Sequence, residues 1–206
     1  MNNPRAPWLL WLIVAVPFLY LAYLYPKLPA EVPIRFGPDG QPVAYGPKAL
    51  LWVLPVVGPL LTAVIFSFVL PRATFDRRPR KLWWMVLLTT AFLSALMVYL
   101  TWGTWRGELV NVQIMFFLLG GLFIVLGNFM PVTPPNRWVG IRLPVTLNDE
   151  RVWRRVHRFS GPVWVAGGTF IIAASLFVSE TAMAFVLVGT TLALAVICTV
   201  YAYRVK

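Results

Sequence analysis

Six stretches of the chain carry no Asp, Glu, Lys, Arg or His, and each is about as long as a membrane-spanning helix. A helix needs roughly 20 apolar residues to cross a hydrocarbon layer about 30 Å thick. Of the 206 residues, 59% are hydrophobic and 12% are charged. A transmembrane barrel would instead show short segments of alternating apolar and polar residues. The sequence therefore predicts an all-α integral membrane protein with six transmembrane helices: Trp8–Tyr25, Ala49–Leu70, Leu82–Trp102, Val112–Met130, Pro162–Val178 and Ala182–Tyr203.

Basic residues are unevenly distributed among the segments that connect these stretches. With the N-terminus inside, 14 of the 18 Lys and Arg residues fall in cytoplasmic segments. Such an excess fixes the orientation of membrane proteins, so both termini are predicted to be cytoplasmic. The net charge of +11 is then mainly a topology signal, with a contribution from attraction to anionic lipids. No basic domain stands apart from the membrane, so direct nucleic-acid binding is not predicted.

The connection at 26–47, predicted to lie outside, contains a strong turn signal. Its Pro38-Asp39-Gly40 combines a proline that presets φ with a glycine that accepts a positive φ. Flanking VPIRF and QPVAY predict a small hairpin or an ordered loop, although the many prolines argue against a regular sheet. Phe36 and Tyr45 are expected to pack toward the bilayer surface or the mouth of the bundle. The candidate ligand-binding residues of this loop are Phe36, Asp39 and Tyr45.

The long cytoplasmic loop at 131–161 begins with a proline-rich part that cannot be helical and continues as a predicted short helix. Asn148 or Thr146 is the expected N-cap, and Gly161-Pro162 is the expected stop. An apolar face of Val152, Trp153, Val156 and Phe159 suggests a helix lying in the membrane interface. Its arginines suit either lipid headgroups or a protein partner, and the pattern leaves both open: Arg151, Arg154, Arg155 and Arg158.

The order of residues from Gly127 to Gly168 resembles the signature of the SdpI family, bacterial immunity proteins against a secreted killing peptide. The matching pieces are Gly127-Asn128, Asn136, Gly140-Ile141-Arg142, Pro144, Thr146-Leu147, Trp153, His157-Arg158 and Gly161. Upstream, LPAEVPIRFGPDGQPVAYGPK resembles the short module often fused ahead of the SdpI segment. This chain departs from the family pattern at Leu143, Val145, Arg35 and Ala44.

The resemblance implies a multi-pass protein of the bacterial plasma membrane that confers resistance to a toxic peptide at its outer face. It also implies a possible receptor role, in which a cytoplasmic repressor is held at the inner face. The implied organisation is an N-terminal two-helix module at 1–70 and an SdpI-like part at 71–206. The residues that the family motif singles out are Asn128, Asn136, Arg142, Thr146, Trp153, His157 and Arg158.

Polar residues of the cytoplasmic loop are expected to form a cluster against the inner ends of the fourth and fifth spans. Backbone at membrane depth must find hydrogen-bond partners, and a proline-rich loop cannot supply its own. The loop residues expected in this cluster are Asn136, Arg142, Thr146 and Asn148, together with Asn128 and His157. Asn128 is expected to hydrogen-bond the loop. His157 is expected to donate to Asn136 or to a carbonyl at a helix end.

Two other classes of function are alternatives to the immunity function that the resemblance implies. An enzyme would need His157 with Glu150 or Asp149, but seven residues of helix separate Glu150 from His157, about 10.5 Å along the axis. A small-molecule or lipid transporter would need ionisable groups or broken helices near the midplane. The six stretches lack ionisable groups, but Pro17, Pro55 and Pro59 predict kinks in the first two. We expect no enzyme, no metal site and no cofactor, and we expect the lone Cys198 to be a packing residue.

Overall fold

A computed structural model describes residues 7–64, 80–109, 111–137 and 139–206, and every structural statement below concerns these residues. The chain is mostly helical, in agreement with the predicted class. Seven helical elements and one hairpin follow in the order α1 (Pro7–Leu24), β1 (Glu31–Phe36), β2 (Pro42–Pro47), α2 (Lys48–Val64), α3 (Arg80–Arg106), α4 (Gln113–Phe129), α5 (Pro144–Asn148), α6 (Glu150–Ser175) and α7 (Glu180–Arg204). The predicted cytoplasmic residues Arg5, Arg72, Arg77 and Arg78 lie outside the described residues.

Four helices are long and apolar enough to cross a membrane: Trp8–Lys27, Trp83–Arg106, Gln113–Val132 and Glu180–Arg204. The apolar helix Lys48–Val64 is shorter, and residues 65–70 of the second predicted span lie outside the described residues. The second half of α6 covers most of the fifth predicted span, Pro162–Val178. The helical class is confirmed, whereas the count of six spans and the orientation of the termini stay predictions.

Helix α2 is irregular, as its two prolines lead one to expect. It begins as a 3-10 turn at Lys48–Trp52 and contains a π-helical stretch at Val56–Leu60, with Pro59 inside that stretch. A proline has no N–H and its ring displaces the preceding turn, so a regular ladder cannot run through this region.

Helices α4 and α6 pack with their backbones in contact at two levels. A Cβ added to Gly120 would lie 2.7 Å from the carbonyl oxygen of Gly168, and one added to Gly127 would lie 2.7 Å from that of Gly161. Real Cβ atoms do not approach other atoms so closely, so glycine is required at these positions. Small residues at helix interfaces allow such close approach in membranes. This pair of helices positions the polar end of the molecule.

The predicted stop at Gly161-Pro162 is wrong. Helix α6 runs without interruption from Glu150 to Ser175, with Pro162 inside it. Gly161 is glycine because of packing: its added Cβ would lie 2.8 Å from Pro131 Cγ and 2.9 Å from the carbonyl oxygen of Gly127. The arginine-rich segment is therefore the first part of a long helix rather than a separate interfacial helix.

The predicted N-cap is also corrected. The Asp149 carboxylate caps α6, accepting hydrogen bonds from the backbone N–H of Arg151 (2.6 Å) and of Val152 (3.3 Å). Thr146, one of the two predicted caps, instead lies within the short helix α5. The N-cap is thus Asp149, one residue after the predicted Asn148. Asparagine and aspartate are both favourable N-cap residues, so the sequence alone does not distinguish the two positions.

Candidate functional site

Two structures lie at the ends of the bundle: the hairpin (residues 31–47) and, at the predicted cytoplasmic end, a compact unit that we call the cap (residues 133–161). The cap wraps the loop after α4 around the first three turns of α6. Its interior contains the tryptophan and the histidine of the family motif, and its exterior contains the arginines. The two ends are described in turn, beginning with the cap.

His157 is the centre of the cap interior. Its side chain is 1% exposed, and its Nε2 accepts a hydrogen bond of 3.1 Å from the backbone N–H of Ile141. Its Nδ1 lies 2.9 Å from the carbonyl oxygen of Trp153, one turn earlier in α6. Because Nε2 must accept, the proton of the neutral ring is on Nδ1 and is donated to Trp153. The predicted partner of His157, Asn136 or a helix-end carbonyl, is thus corrected.

Burial also decides the charge of His157. Removal from water lowers the pKa of its imidazole from 6.5 to about 4, although the hydrogen bond to the Trp153 carbonyl acts in the opposite direction. A protonated ring would point a second N–H at the Ile141 N–H, where no acceptor faces it. The ring is neutral at pH 7 and holds the loop on the helix.

Trp153 completes the cap interior. It is fully buried, its ring stacks on that of His157 at a centroid distance of 4.0 Å and an angle of 19°, and its Nε1 donates to the carbonyl oxygen of Thr133 at 2.9 Å. Gly140 lies against both rings with a φ of +113°, and a Cβ there would overlap His157 Nε2. Only glycine combines this backbone conformation with this approach.

Two more motif residues bind the loop backbone. Thr146 Oγ1 accepts from the N–H of Leu143 at 2.9 Å and donates to the carbonyl oxygen of Ile141 at 2.7 Å. The Asn136 side chain accepts from the N–H of Val139 at 2.7 Å and donates to the carbonyl oxygen of Pro134 at 2.8 Å. The loop is therefore held by side chains that replace the missing secondary structure.

The predicted cluster forms without three of its members. Asn128 is exposed and donates to the carbonyl oxygen of Ile124 in its own helix, at 2.9 Å, so the expectation that it binds the loop is wrong. Arg142 is exposed and donates to the carbonyl oxygen of Arg137 at 3.2 Å, and Asn148 is exposed as well. The sequence did not predict three features of the cap: the Ile141 N–H as the donor to His157, the Thr133 carbonyl oxygen as the acceptor for Trp153, and the positive φ of Gly140. All three depend on the path of the loop.

The apolar face of the first turns of α6 packs on protein rather than in the membrane interface. Val152 and Val156 form a cluster with Ala202 of α7, and Ile141, Leu143 and Val145 pack against this cluster. Phe159 stacks on Tyr201 of α7 at a centroid distance of 3.9 Å. Leu143 and Val145, two positions at which the chain departs from the family pattern, thus make apolar contacts inside the cap.

The arginines of α6 lie opposite this buried face. Arg151, Arg154, Arg155 and Arg158 are all exposed. Arg154 Nη1 lies 3.1 Å from Glu150 Oε1, the one ion pair found among the described residues. The face therefore carries three arginines without an acidic partner in the described part of the chain. Because Glu150 pairs with Arg154 while His157 is buried, the acid–base pair that an enzyme would need is not assembled.

The hairpin confirms the predicted turn. Strands β1 and β2 are antiparallel, the N–H of Gly40 donates to the carbonyl oxygen of Gly37 at 3.0 Å, and Asp39 Oδ1 accepts from the N–H of Gln41 at 3.1 Å. Gly40 has a φ of +77°. Of the departures in this module, Arg35 is exposed on β1 and pairs across the hairpin with Ala44.

The tip of the hairpin is fastened to the connection between α3 and α4. The N–H of Leu109 donates to the carbonyl oxygen of Gly40 at 2.8 Å, and Gln41 Nε2 donates to Glu108 Oε2 at 3.3 Å. Further along, Thr104 Oγ1 of α3 donates to the carbonyl oxygen of Pro33 at 3.2 Å. The hairpin is therefore fixed on the end of the bundle.

The two aromatic residues predicted as a pair have different positions. Phe36 is half-buried and packs on a core cluster that includes Leu109, Val112 and Phe116, at the mouth of the bundle as predicted. Tyr45 is 60% exposed, so it does not pack on the mouth of the bundle, and the alternative that it packs toward the bilayer surface stays a prediction. Val43, two residues before it on the same strand, is also exposed and lies where the strand pairing is irregular.

Comparison with known proteins assigns the chain to a family. Residues 132–202 match the SdpI/YfhL protein family, and residues 12–58 match a domain of unknown function, DUF1648. The chain is 32% identical over 200 residues to Immunity protein SdpI of Bacillus subtilis (strain 168), covering 94% of this chain and 92% of that protein. No solved structure matches the chain. With the motif residues of the cap inside one matched segment and the hairpin inside the other, the chain belongs to the SdpI family of membrane immunity proteins.

Proposed function

We propose that the protein protects its cell against a toxic peptide and does so as a multi-pass protein of the bacterial plasma membrane. The similarity to Immunity protein SdpI along 94% of the chain carries this proposal. In the proposed arrangement α2 and the second half of α6 complete six spans, and both termini face the cytoplasm. Support comes from the 14 basic residues that this arrangement leaves inside. The hairpin then faces outward and the cap inward.

The recognition surface that we propose for the toxic peptide is the exposed face of the hairpin. Val43 and Tyr45 offer apolar side chains to an approaching peptide, whereas Phe36 is used in packing. Fastening of the tip by Leu109 means that this face is ordered before binding, which lowers the entropic cost of association. Asp39 is used in the turn, so its part in the site is to shape the tip.

The test is expression in a sensitive bacterial strain challenged with candidate toxic peptides. The wild-type chain should raise survival, and Val43→Ser with Tyr45→Ser should abolish that gain at an unchanged level of protein in the membrane. Phe177→Ser is the matched control, because Phe177 is 88% exposed in the connection between α6 and α7. No protection by the wild-type chain would contradict the immunity function. Protection that survives in the double variant would remove the hairpin from it.

We propose in addition that the far end of the cap holds a cytoplasmic repressor. Leu147, Asn148 and Arg151 are exposed there, at the start of α6 and farthest from the apolar half of that helix. A charge-reversing pair, Arg151→Glu with Arg154→Glu, should reduce recovery of the repressor when the protein is purified from its native cell. Equal recovery of every cytoplasmic protein by wild type and variant would contradict this receptor role.

Transport of a small molecule or lipid remains the alternative function. The irregular α2, with Pro59 inside a π-helical stretch, supplies the free backbone carbonyls that such a function would use. Flux measurements in liposomes that contain the purified protein separate the two functions. A carrier would give protein-dependent flux, and an immunity protein would not.

A further inference from the structure

The exposed face of α6 is one continuous stripe with two chemically different halves. Its first half consists of four arginines at positions that share one side of a helix, Arg151, Arg154, Arg155 and Arg158. The same side continues at intervals of three and four residues into a run of exposed, mostly small residues. That run is Pro162, Ala166, Thr169 and Ala173.

The change from charge to small apolar residues occurs beside the last turns of the neighbouring span. Gly161 packs against Gly127 and Pro131, and the candidate span of α4 ends at Val132. Residues after Gly161 therefore run alongside the α4 span, and the residues before it lead past the end of that span. Thr169 fits this depth, because its Oγ1 is bonded to the carbonyl oxygen of Val165 at 2.9 Å and does not require water.

Helix geometry gives the height of each arginine above this level. At 1.5 Å per residue, Arg158 lies about 4.5 Å, Arg155 about 9 Å, Arg154 about 10.5 Å and Arg151 about 15 Å beyond Gly161. The headgroup layer on each side of a bilayer is about 5–7 Å thick. Arginine side chains also extend toward headgroups from depths just above or below them, so Arg158 and Arg155 both reach the phosphates. Arg154 lies only slightly higher than Arg155 but is paired with Glu150, and Arg151 is beyond phosphate level.

We propose that this stripe is a binding site for one anionic phospholipid of the adjoining leaflet. Arg155 and Arg158 bind the phosphate, and an acyl chain lies along Pro162, Ala166 and Thr169. The charge is complementary, because neither arginine has an acidic partner within the described residues. A soluble protein is the weaker candidate for these two arginines, because the surrounding headgroups would block its approach to them. Arg154 is paired with Glu150, and Arg151, farther out, remains accessible to a protein.

The experiment measures lipid retention by the full-length protein purified in a mild detergent. Phosphatidylglycerol or phosphatidylcholine is titrated, and the bound lipid is counted by native mass spectrometry. Wild type should retain phosphatidylglycerol preferentially. Arg155→Gln with Arg158→Gln should weaken that retention about 30-fold, because each basic residue near an anionic membrane surface contributes about fivefold. Glycerol phosphate, which has the anionic group without acyl chains, should not compete.

The matched control is Arg151→Gln with Arg154→Gln, which removes the same formal charge from the same face. Of this pair, Arg151 lies higher than the proposed phosphate site and Arg154 is already paired with Glu150. This control should change retention by less than about threefold. Equal losses in the two pairs, or no preference of wild type for phosphatidylglycerol, would overturn the proposal. Retained phosphatidylglycerol together with loss of a co-purified cytoplasmic protein in Arg155→Gln with Arg158→Gln would also overturn it, and would assign the face to a protein. All variants change exposed side chains, and size-exclusion chromatography checks that they fold.

Discussion

The hairpin and the cap both fasten a proline-rich connection to the end of the bundle, but they use different groups to do so. The hairpin is fastened largely by its main chain, through strand pairing and through the bond between the N–H of Leu109 and the carbonyl oxygen of Gly40. Within its described residues the cap has no strand, and side chains such as those of Trp153, His157 and Thr146 bind its backbone. Main-chain bonds survive a change of side chain, so the hairpin should tolerate substitutions that open the cap.

The largest expected effect is that of Trp153→Ala in the cap. It removes a fully buried aromatic ring and leaves the Thr133 carbonyl oxygen without its donor. We expect a loss of about 4 kcal/mol in the free energy of cap opening, measured by hydrogen exchange of the amides at 139–147. Trp153→Phe keeps a ring on His157 and should cost roughly half as much. A loss below about 1 kcal/mol for Trp153→Ala would contradict the fastening role of this side chain.

Acid should open the cap next. The pKa of His157 is about 4 in the folded protein and rises to its ordinary value of 6.5 when the ring is exposed to water, so the folded cap binds fewer protons than the open one. The stability from the neutral ring is therefore full above pH 6.5 and is lost as pH falls from 6.5 to 4, by about 3 kcal/mol.

The same exchange measurement across this pH range, corrected for intrinsic exchange rates, provides the test. His157→Gln cannot titrate there, so its cap should show a flatter dependence on pH. Parallel slopes for wild type and His157→Gln would show that other groups cause the acid response.

Substitutions of two glycines with positive φ separate two contributions to stability: the backbone conformation and the contact of an added side chain. Gly140→Ala should destabilise the cap by about 3 kcal/mol, since φ is +113° and the added Cβ overlaps His157. Gly107→Ala is the control, because Gly107 has a φ of +86° and no atom within 4 Å of an added Cβ. It should cost about 1 kcal/mol at its own site. Similar thermal shifts for the two variants would mean that the contact with His157 contributes nothing.

The smallest expected effect is on the hairpin, where Tyr45→Ser should change thermal stability by less than about 0.5 kcal/mol. Its side chain is 60% exposed and the strand pairing does not depend on it. Phe36→Ser is the contrasting change and should cost more, because Phe36 packs on the core cluster. If Tyr45→Ser proved as costly as Phe36→Ser, the hairpin would depend on its side chains as the cap does.

The hairpin is predictable because its information is local. A proline, an aspartate and a glycine in succession specify a turn wherever they occur, and Gly40 has the positive φ that this pattern requires. The helical class is predictable for a similar reason, since a long apolar stretch can satisfy its backbone in a membrane only as a helix. Neither prediction depends on which residues pack against the turn or against the apolar stretches in the folded protein.

The cap is predictable only in part, because its information is distant in the sequence. Gly161-Pro162 predicts a helix stop, yet the close packing of α4 continues the helix through that point. The family motif singles out His157, but its acceptor role follows from Ile141, sixteen residues away, and from the path of the loop between them. Asn128 binds its own helix, an option that is open to any polar residue in a span.

The backbone contacts between α4 and α6 have a mechanical consequence. The two levels of contact are seven residues apart on each helix, at Gly120 with Gly168 and at Gly127 with Gly161, and no layer of side chains separates the helices there. A layer of side chains can yield by changing rotamers, but two backbones in contact cannot, so the pair resists sliding and must tilt as one stiff rod. Near one end of this rod, Leu109 is bound to the hairpin tip, and the other end is the cap itself. A displacement of the hairpin would therefore tilt α4 and α6 together and change the angle of the arginine face of α6.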